Sequence, residues 1–159
     1  MRTLVAYFSA TGTTAGKAKK LAKVIGCDVF EIVPETPYTT ADLKWRDKES
    51  RTSIECNDPA CRPAIATRVE NMDDYDTIFL GFPIWWYCEP PIINTFLEQY
   101  DLAGKTIIPF ATSAGSSFGK TIDYLKPSAP GAIFLEGKMV RFSTESSLRS
   151  WVESLNLNS

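Results

Sequence analysis

Histidine is absent from this 159-residue chain. That absence removes the side chain that most often serves as a general base near neutral pH and as a metal ligand. Nucleophilic sites built on Ser-His or Cys-His are therefore excluded, and hydrolytic zinc sites have little to stand on. Long hydrophobic runs are missing as well. Stretches such as Ile78-Phe79-Leu80 end after a few residues, far short of the roughly 20 needed to span a bilayer. The apolar run at 4–8 is too short for a signal-peptide core, so no membrane association and a cytoplasmic location are expected. Excess positive charge is also lacking, with 17 Lys and Arg against 19 Asp and Glu and a net charge of −2. Without a basic stripe to release counterions from phosphates, nucleic acid is not an expected partner. Cysteine is present but sparse, at Cys27, Cys56, Cys61 and Cys88. Cys56-Asn-Asp-Pro-Ala-Cys61 lacks the two-residue gap of a zinc knuckle and has no second pair. No metal is expected, and the thiols read as small buried hydrophobes. A redox role for Cys56 and Cys61 would rest only on their closeness in sequence.

What remains is an ordinary globular composition, 44% hydrophobic and 23% charged, in a length that fits one domain with a real core. Apolar strand runs alternate with helical runs, the signature of an α/β fold with a parallel sheet. Strands are expected at 4–8, 27–33, 76–82, 106–112 and 132–135. Between the first two lies a helix whose Ala15, Ala18, Leu21, Ala22 and Ile25 share one face, ended by Gly26. Pro90 and Pro91 open another, with Ile92, Ile93, Phe96 and Leu97 as its core face. Phe118, Ile122 and Leu125 suit a short helix. Thr144 can cap a last one, whose Leu148, Trp151, Val152 and Leu155 fall at i, i+3, i+4 and i+7. Pro109 is awkward inside a strand because it removes a ladder donor. The stretch 34–75 is an irregular insertion between the second and third strands. Residues 40–56 could be helical, although Leu43, Trp45 and Ile54 make a poor stripe.

In an open parallel sheet, ligands bind where loops leave the carboxyl ends of the strands. Three loops here carry unusual chemistry. Ser9-Ala10-Thr11-Gly12-Thr13-Thr14 offers four hydroxyls, a permissive glycine and the free amides of a helix N-terminus. Such a set can wrap a phosphate with neutral donors, although Ser and Thr are also plain helix caps. Gly81-Phe82-Pro83-Ile84-Trp85-Trp86-Tyr87-Cys88-Glu89-Pro90-Pro91 contains three consecutive aromatics. Neighbours in sequence rarely face one core, so a flat heteroaromatic ligand stacked on them would explain the run; an interface anchor is the other reading. Thr112-Ser113-Ala114-Gly115-Ser116-Ser117-Phe118-Gly119-Lys120 is small and glycine-rich, which lets backbone amides approach a ligand edge. The same residues also make ordinary connections. The run from Gly115 to Thr121 is not a nucleotide-binding P-loop, because three residues rather than four separate its glycines.

Together these segments resemble the flavodoxin-like flavoprotein family over nearly the whole chain. Val5-Ala6-Tyr7-Phe8-Ser9-Ala10-Thr11-Gly12-Thr13-Thr14 is similar to its FMN-phosphate loop. Gly81-Phe82-Pro83-Ile84-Trp85-Trp86, with Pro90-Pro91 and an apolar helix behind, is similar to the loop that stacks on the isoalloxazine. Thr112-Ser113-Ala114-Gly115-Ser116 resembles the third, at the pyrimidine edge of the flavin. The resemblance implies a three-layer, doubly wound, five-stranded parallel sheet in the order 2-1-3-4-5. It implies FMN as cofactor, its phosphate held by Ser9, Thr11, Gly12, Thr13 and Thr14. Pro83, Ile84, Trp85 and Trp86 would line the ring, while Thr112, Ser113, Ala114 and Gly115 meet its edge. The implied function is electron transfer to a redox partner protein or small-molecule acceptor, by a monomer or small homo-oligomer. No glycine occurs between Gly81 and Gly104, where many carriers use one beside the flavin, and the acidic excess typical of carriers is missing. These departures keep open an FMN-dependent NAD(P)H:quinone-type reductase, which the Pro83-Ile84-Trp85-Trp86 loop also resembles. A flavin-free binding or signalling domain is the third alternative.

Overall fold

The computed structural model describes residues 2–44, 46–58, 60–84, 89–112 and 121–155. Along the chain run β1 (Thr3–Tyr7), α1 (Thr13–Ile25), β2 (Asp28–Glu31), α2 (Arg51–Cys56), β3 (Thr77–Pro83) and α3 (Pro91–Glu98). They are followed by β4 (Thr106–Thr112), α4 (Thr121–Leu125), β5 (Ile133–Phe134), β6 (Lys138–Met139) and α5 (Glu145–Ser154). The strands pair in the order β2-β1-β3-β4-β5, all parallel, with β6 added beside β4. This is the expected flavodoxin-like order. The expected fifth strand is shorter than 132–135, and the edge beyond β4 is shared between β5 and the unforeseen β6.

Successive side chains of a strand point to opposite faces, and a parallel sheet buries both. Leu4 and Ala6 of β1 and Phe8 just after it, with Ile78, Leu80 and Phe82 of β3, join a cluster completed by Ile92, Ile93, Phe96 and Leu97 of α3. The intervening Val5, Tyr7, Phe79, Ile108 and Phe110 join Ala18, Leu21 and Ala22 of α1 and Leu148 of α5. The helical faces read from the sequence are thus the faces that pack. In α1 they end at Gly26, whose φ of 77° is the left-handed conformation that a helix stop favours.

The break between β5 and β6 explains Pro109. Along β4, the carbonyls of Lys105 and Ile107 accept from Ile133 and Leu135, and that of Ala111 accepts from Val140. By alternation Pro109 faces the same outer side, opposite the stretch where β5 has ended and β6 has not begun. Pro109 thus lies between the two pairings, where its missing N–H interrupts neither.

The insertion has structure of its own. Pro34 bridges to Ile65, and α2 covers only the end of the stretch considered for a helix. It is fastened to α3 by the Arg62–Glu98 ion pair at 2.9 Å. A hydrogen bond of 2.8 Å from the Val69 amide to the Tyr100 hydroxyl adds a second tie. No helix among the described residues is long and apolar enough to cross a membrane.

Candidate functional site

Because every pairing is parallel, β1, β3 and β4 deliver their following loops to one edge of the sheet. The register sets Tyr7 beside Gly81 and Pro83 beside Thr112. The chain then stitches these ends together. The Phe8 amide donates to the Gly81 carbonyl at 2.9 Å, and the Ile84 amide donates to the Thr112 carbonyl at 3.0 Å.

At the end of β1, the Ser9 hydroxyl accepts a hydrogen bond of 3.0 Å from the Gly12 amide, folding the loop into a turn. Gly12 has a φ of 95°, which a side chain would strain, and there it serves as the N-cap of α1. Glycine has no side chain to offer the first-turn amides, and no acidic residue stands in that turn. A helix start leaves orphan N–H groups carrying partial positive charge. Here they are left to solvent or to a bound anion, among the exposed Thr11, Gly12 and Thr13. Thr14 turns inward, and its hydroxyl shares a buried 2.8 Å hydrogen bond with that of Thr112. The loop between β1 and α1 and the end of β4 are thereby locked together.

Of the residues singled out from the sequence, Ser9, Thr11, Gly12, Thr13 and Thr14 form this turn and helix start. Thr112 meets it through Thr14, and Pro83 and Ile84 in turn pair with Thr112 at the sheet edge. Trp85, Trp86, Ser113, Ala114 and Gly115 lie outside the described residues. Gly81 lies against the buried Phe110 ring: a Cβ there would come within 2.2 Å of it. Among the described residues no group of His, Cys, Asp and Glu is arranged to hold a metal ion.

Two features were not foreseen. The first is a brace in the insertion. Tyr38 packs on Phe8 with ring centroids 5.5 Å apart, and the Arg51 guanidinium lies 3.8 Å above the Tyr38 ring. Arg51 also binds the Glu55 carboxylate at 2.8 Å and the Thr36 carbonyl at 2.6 Å, and the Tyr38 hydroxyl donates to Glu55. Burial and the adjoining Glu55 push the Tyr38 hydroxyl far above its usual acidity range. Burial likewise raises the Cys61 thiol, with Glu55 next in effect, which works against the thiolate that redox chemistry needs. The second feature is Glu89, a buried carboxyl between the second loop and α3, pushed up to about 7 chiefly by desolvation. Its only sequence signal was a charged residue set directly before two prolines at a helix start.

A family model described as flavodoxin matches residues 2–155. No curated protein matches the chain. Among solved structures, a candidate flavoprotein of Bacteroides eggerthii is 48% identical, with a TM-score of 0.93 and 99% of each chain covered. A second, from Bacteroides uniformis, is 46% identical with a TM-score of 0.91, over 96% of this chain and 97% of that one. A Lactobacillus acidophilus flavoprotein solved in complex with FMN shares the fold at 24% identity and a TM-score of 0.68, covering 95% and 98%.

Proposed function

The chain belongs to the flavodoxin family, and from that premise we propose that it binds one FMN non-covalently and passes electrons through it. The supporting observation is the start of α1: a helix N-terminus capped by glycine, flanked by hydroxyls and tied through Thr14 to Thr112. This set suits a phosphate group held by neutral donors, because directed N–H groups and the helix dipole replace a lysine or arginine. Ser9 shapes the turn, Thr11 and Thr13 offer exposed hydroxyls, and Thr14 sets the distance to β4. Pro83 and Ile84, with Trp85 and Trp86 beyond them, would line the flavin ring; Thr112, with Ser113, Ala114 and Gly115, would serve its edge. When bound, the flavin supplies the redox chemistry, while the protein orients it and sets its surroundings. The acceptor is a redox partner protein or a small molecule.

The test is a titration of the purified protein with FMN, followed by flavin fluorescence and visible absorption. Quenching with a perturbed spectrum, saturating at one FMN per chain, is the expected result. A free-flavin spectrum at micromolar protein and FMN would leave the loops as a structural remnant and overturn the reading.

A further inference from the structure

One more segment reaches the carboxyl edge of the sheet, the one that follows β6. Because β6 runs parallel to β4, this segment leaves beside the end of β4. The Val140 amide donates to the Ala111 carbonyl at 2.8 Å, one residue before the Thr112 that holds Thr14. The Lys17 ammonium, one turn into α1, donates to the Ser143 carbonyl at 2.7 Å. Between these anchors the Ser143 amide donates to the Val140 carbonyl at 3.0 Å, closing a β-turn with Arg141 and Phe142 at its tip. Val140 is fully buried at the root of the turn, and Thr144 caps α5 directly behind it. The turn is thus fixed on both sides, next to the start of α1 and the end of β4.

Its tip is out of keeping with the rest of the surface. Phe142 is 84% exposed, whereas no other large hydrophobic among the described residues exceeds 58%. Arg141 is exposed as well, with its guanidinium 5.2 Å from the centroid of the Phe142 ring. Among the described residues it forms no ion pair. A ring held out in water gains free energy when something covers it. Small-molecule sites are concave, and a projecting tip has no walls to enclose one. The tip can instead be enclosed by a partner protein. Aromatic and arginine side chains dominate such contacts, most effectively when already ordered so that little entropy is lost on binding. A guanidinium without an anion is best met by carboxylates, and Lys17 at the base of the turn adds charge of the same sign.

We propose that the 140–143 turn is the docking point for an acidic redox protein, which buries Phe142 in an apolar pocket and sets carboxylates against Arg141. Docking there brings the partner's redox centre to the sheet edge that would hold the flavin, so the inference rests on the FMN reading. The pair acts once in contact, by slowing dissociation, and not by steering the approach.

The experiment loads wild type, Phe142→Ala and Arg141→Gln with FMN and reduces the flavin with dithionite, whose excess is then removed. Each protein is mixed anaerobically, in a stopped-flow instrument, with ferric rubredoxin, a small acidic protein. Ferric cytochrome c, a basic protein, and neutral benzoquinone serve as the contrasting oxidants. Each ferric ion takes one electron from the flavin, whose protons pass to water. With rubredoxin the second-order rate is expected to fall about fivefold or more in either variant, the loss of a buried contact residue. With cytochrome c and benzoquinone the rates should be unchanged. Equal rubredoxin rates in all three proteins, or equal losses with every oxidant, would overturn the proposal. So would a wild-type dimer that Phe142→Ala converts to monomer in sedimentation equilibrium, or binding to phosphatidylserine vesicles that the variant loses. The occupant of the tip would then be a second copy or a bilayer. Failure of wild type to bind FMN would show at the loading step, before any mixing, and would sink the flavin reading and the proposal with it.

Discussion

Removing an ionised carboxylate from water costs free energy unless donors or a cation replace the lost hydration, and at Glu89 the replacement is partial. The consequence for stability has a definite sign. The folded protein holds this proton up to about pH 7, whereas the unfolded chain releases it near the ordinary value of 4.5. Below pH 4.5 the group is neutral in both states and costs nothing as a charge. As pH rises from 4.5 to 7 the unfolded state gains, and the penalty reaches about 3 kcal/mol above that window. Glu89→Gln should therefore stabilise the FMN-free protein at pH 8 and change little at pH 4, as read by urea midpoints at both pH values. Equal shifts at the two would refute the account. Gly81 makes a steric case at the same scale. Its missing Cβ leaves space that the Phe110 ring occupies, so Gly81→Ala must displace an aromatic buried in the core. A loss of about 1–3 kcal/mol in urea unfolding is expected.

At the scale of elements, Pro109 tests whether the split outer edge of the sheet is real. If its absent N–H faces the break between β5 and β6, restoring the donor gains no ladder bond. Pro109→Ala should then cost less than about 1 kcal/mol, chiefly through a looser unfolded chain. A gain in stability would show that a carbonyl had been waiting for that donor. The last helix illustrates local rules acting in concert. Thr144 accepts from the Ser147 amide at 3.1 Å while the Ser147 hydroxyl accepts from the Thr144 amide at 2.8 Å, closing a capping box. Trp151 of that helix then meets Phe79 edge-on at 5.6 Å. The cap specifies where α5 starts, and the aromatic contact determines which face it lays on the sheet.

At the scale of the whole molecule, charge and connectivity matter most. With 19 acidic and 17 basic residues, the chain carries too little net charge to steer a partner over distance. The rate at which a charged partner oxidises the reduced flavoprotein should change less than about threefold on raising salt from low to physiological levels, since strong dependence needs a strong field. A steep fall in stopped-flow rates would reveal a local charged patch that net charge hides. The insertion adds a second constraint. Through Tyr38 it braces Phe8, the residue that follows β1, and through Arg62 and Val69 it grips α3 and the turn after it. An excursion of some forty residues is thereby tied both to the end of β1 and to α3.

The helices and central strands were legible in the sequence by itself, because apolar periodicity, glycine stops and prolines at helix starts act within a few residues of chain. The loop Ser9–Thr14 could be recognised for the same reason: hydroxyls and glycine at a strand-to-helix junction are local chemistry. Other features depend on residues far apart in the chain, and only the tertiary structure decided them. Thr14 meets Thr112 across 98 positions, and Tyr38 lies on Phe8 through packing that no motif records. Pro109 looked awkward inside a strand until β5 and β6 were seen to pair with β4 on either side of it. Little in the sequence set Glu89 apart from other loop glutamates; its burial beside Asn94 of α3 came with the fold. Burial and pairing are properties of the folded whole, and they give a residue its energy and its role.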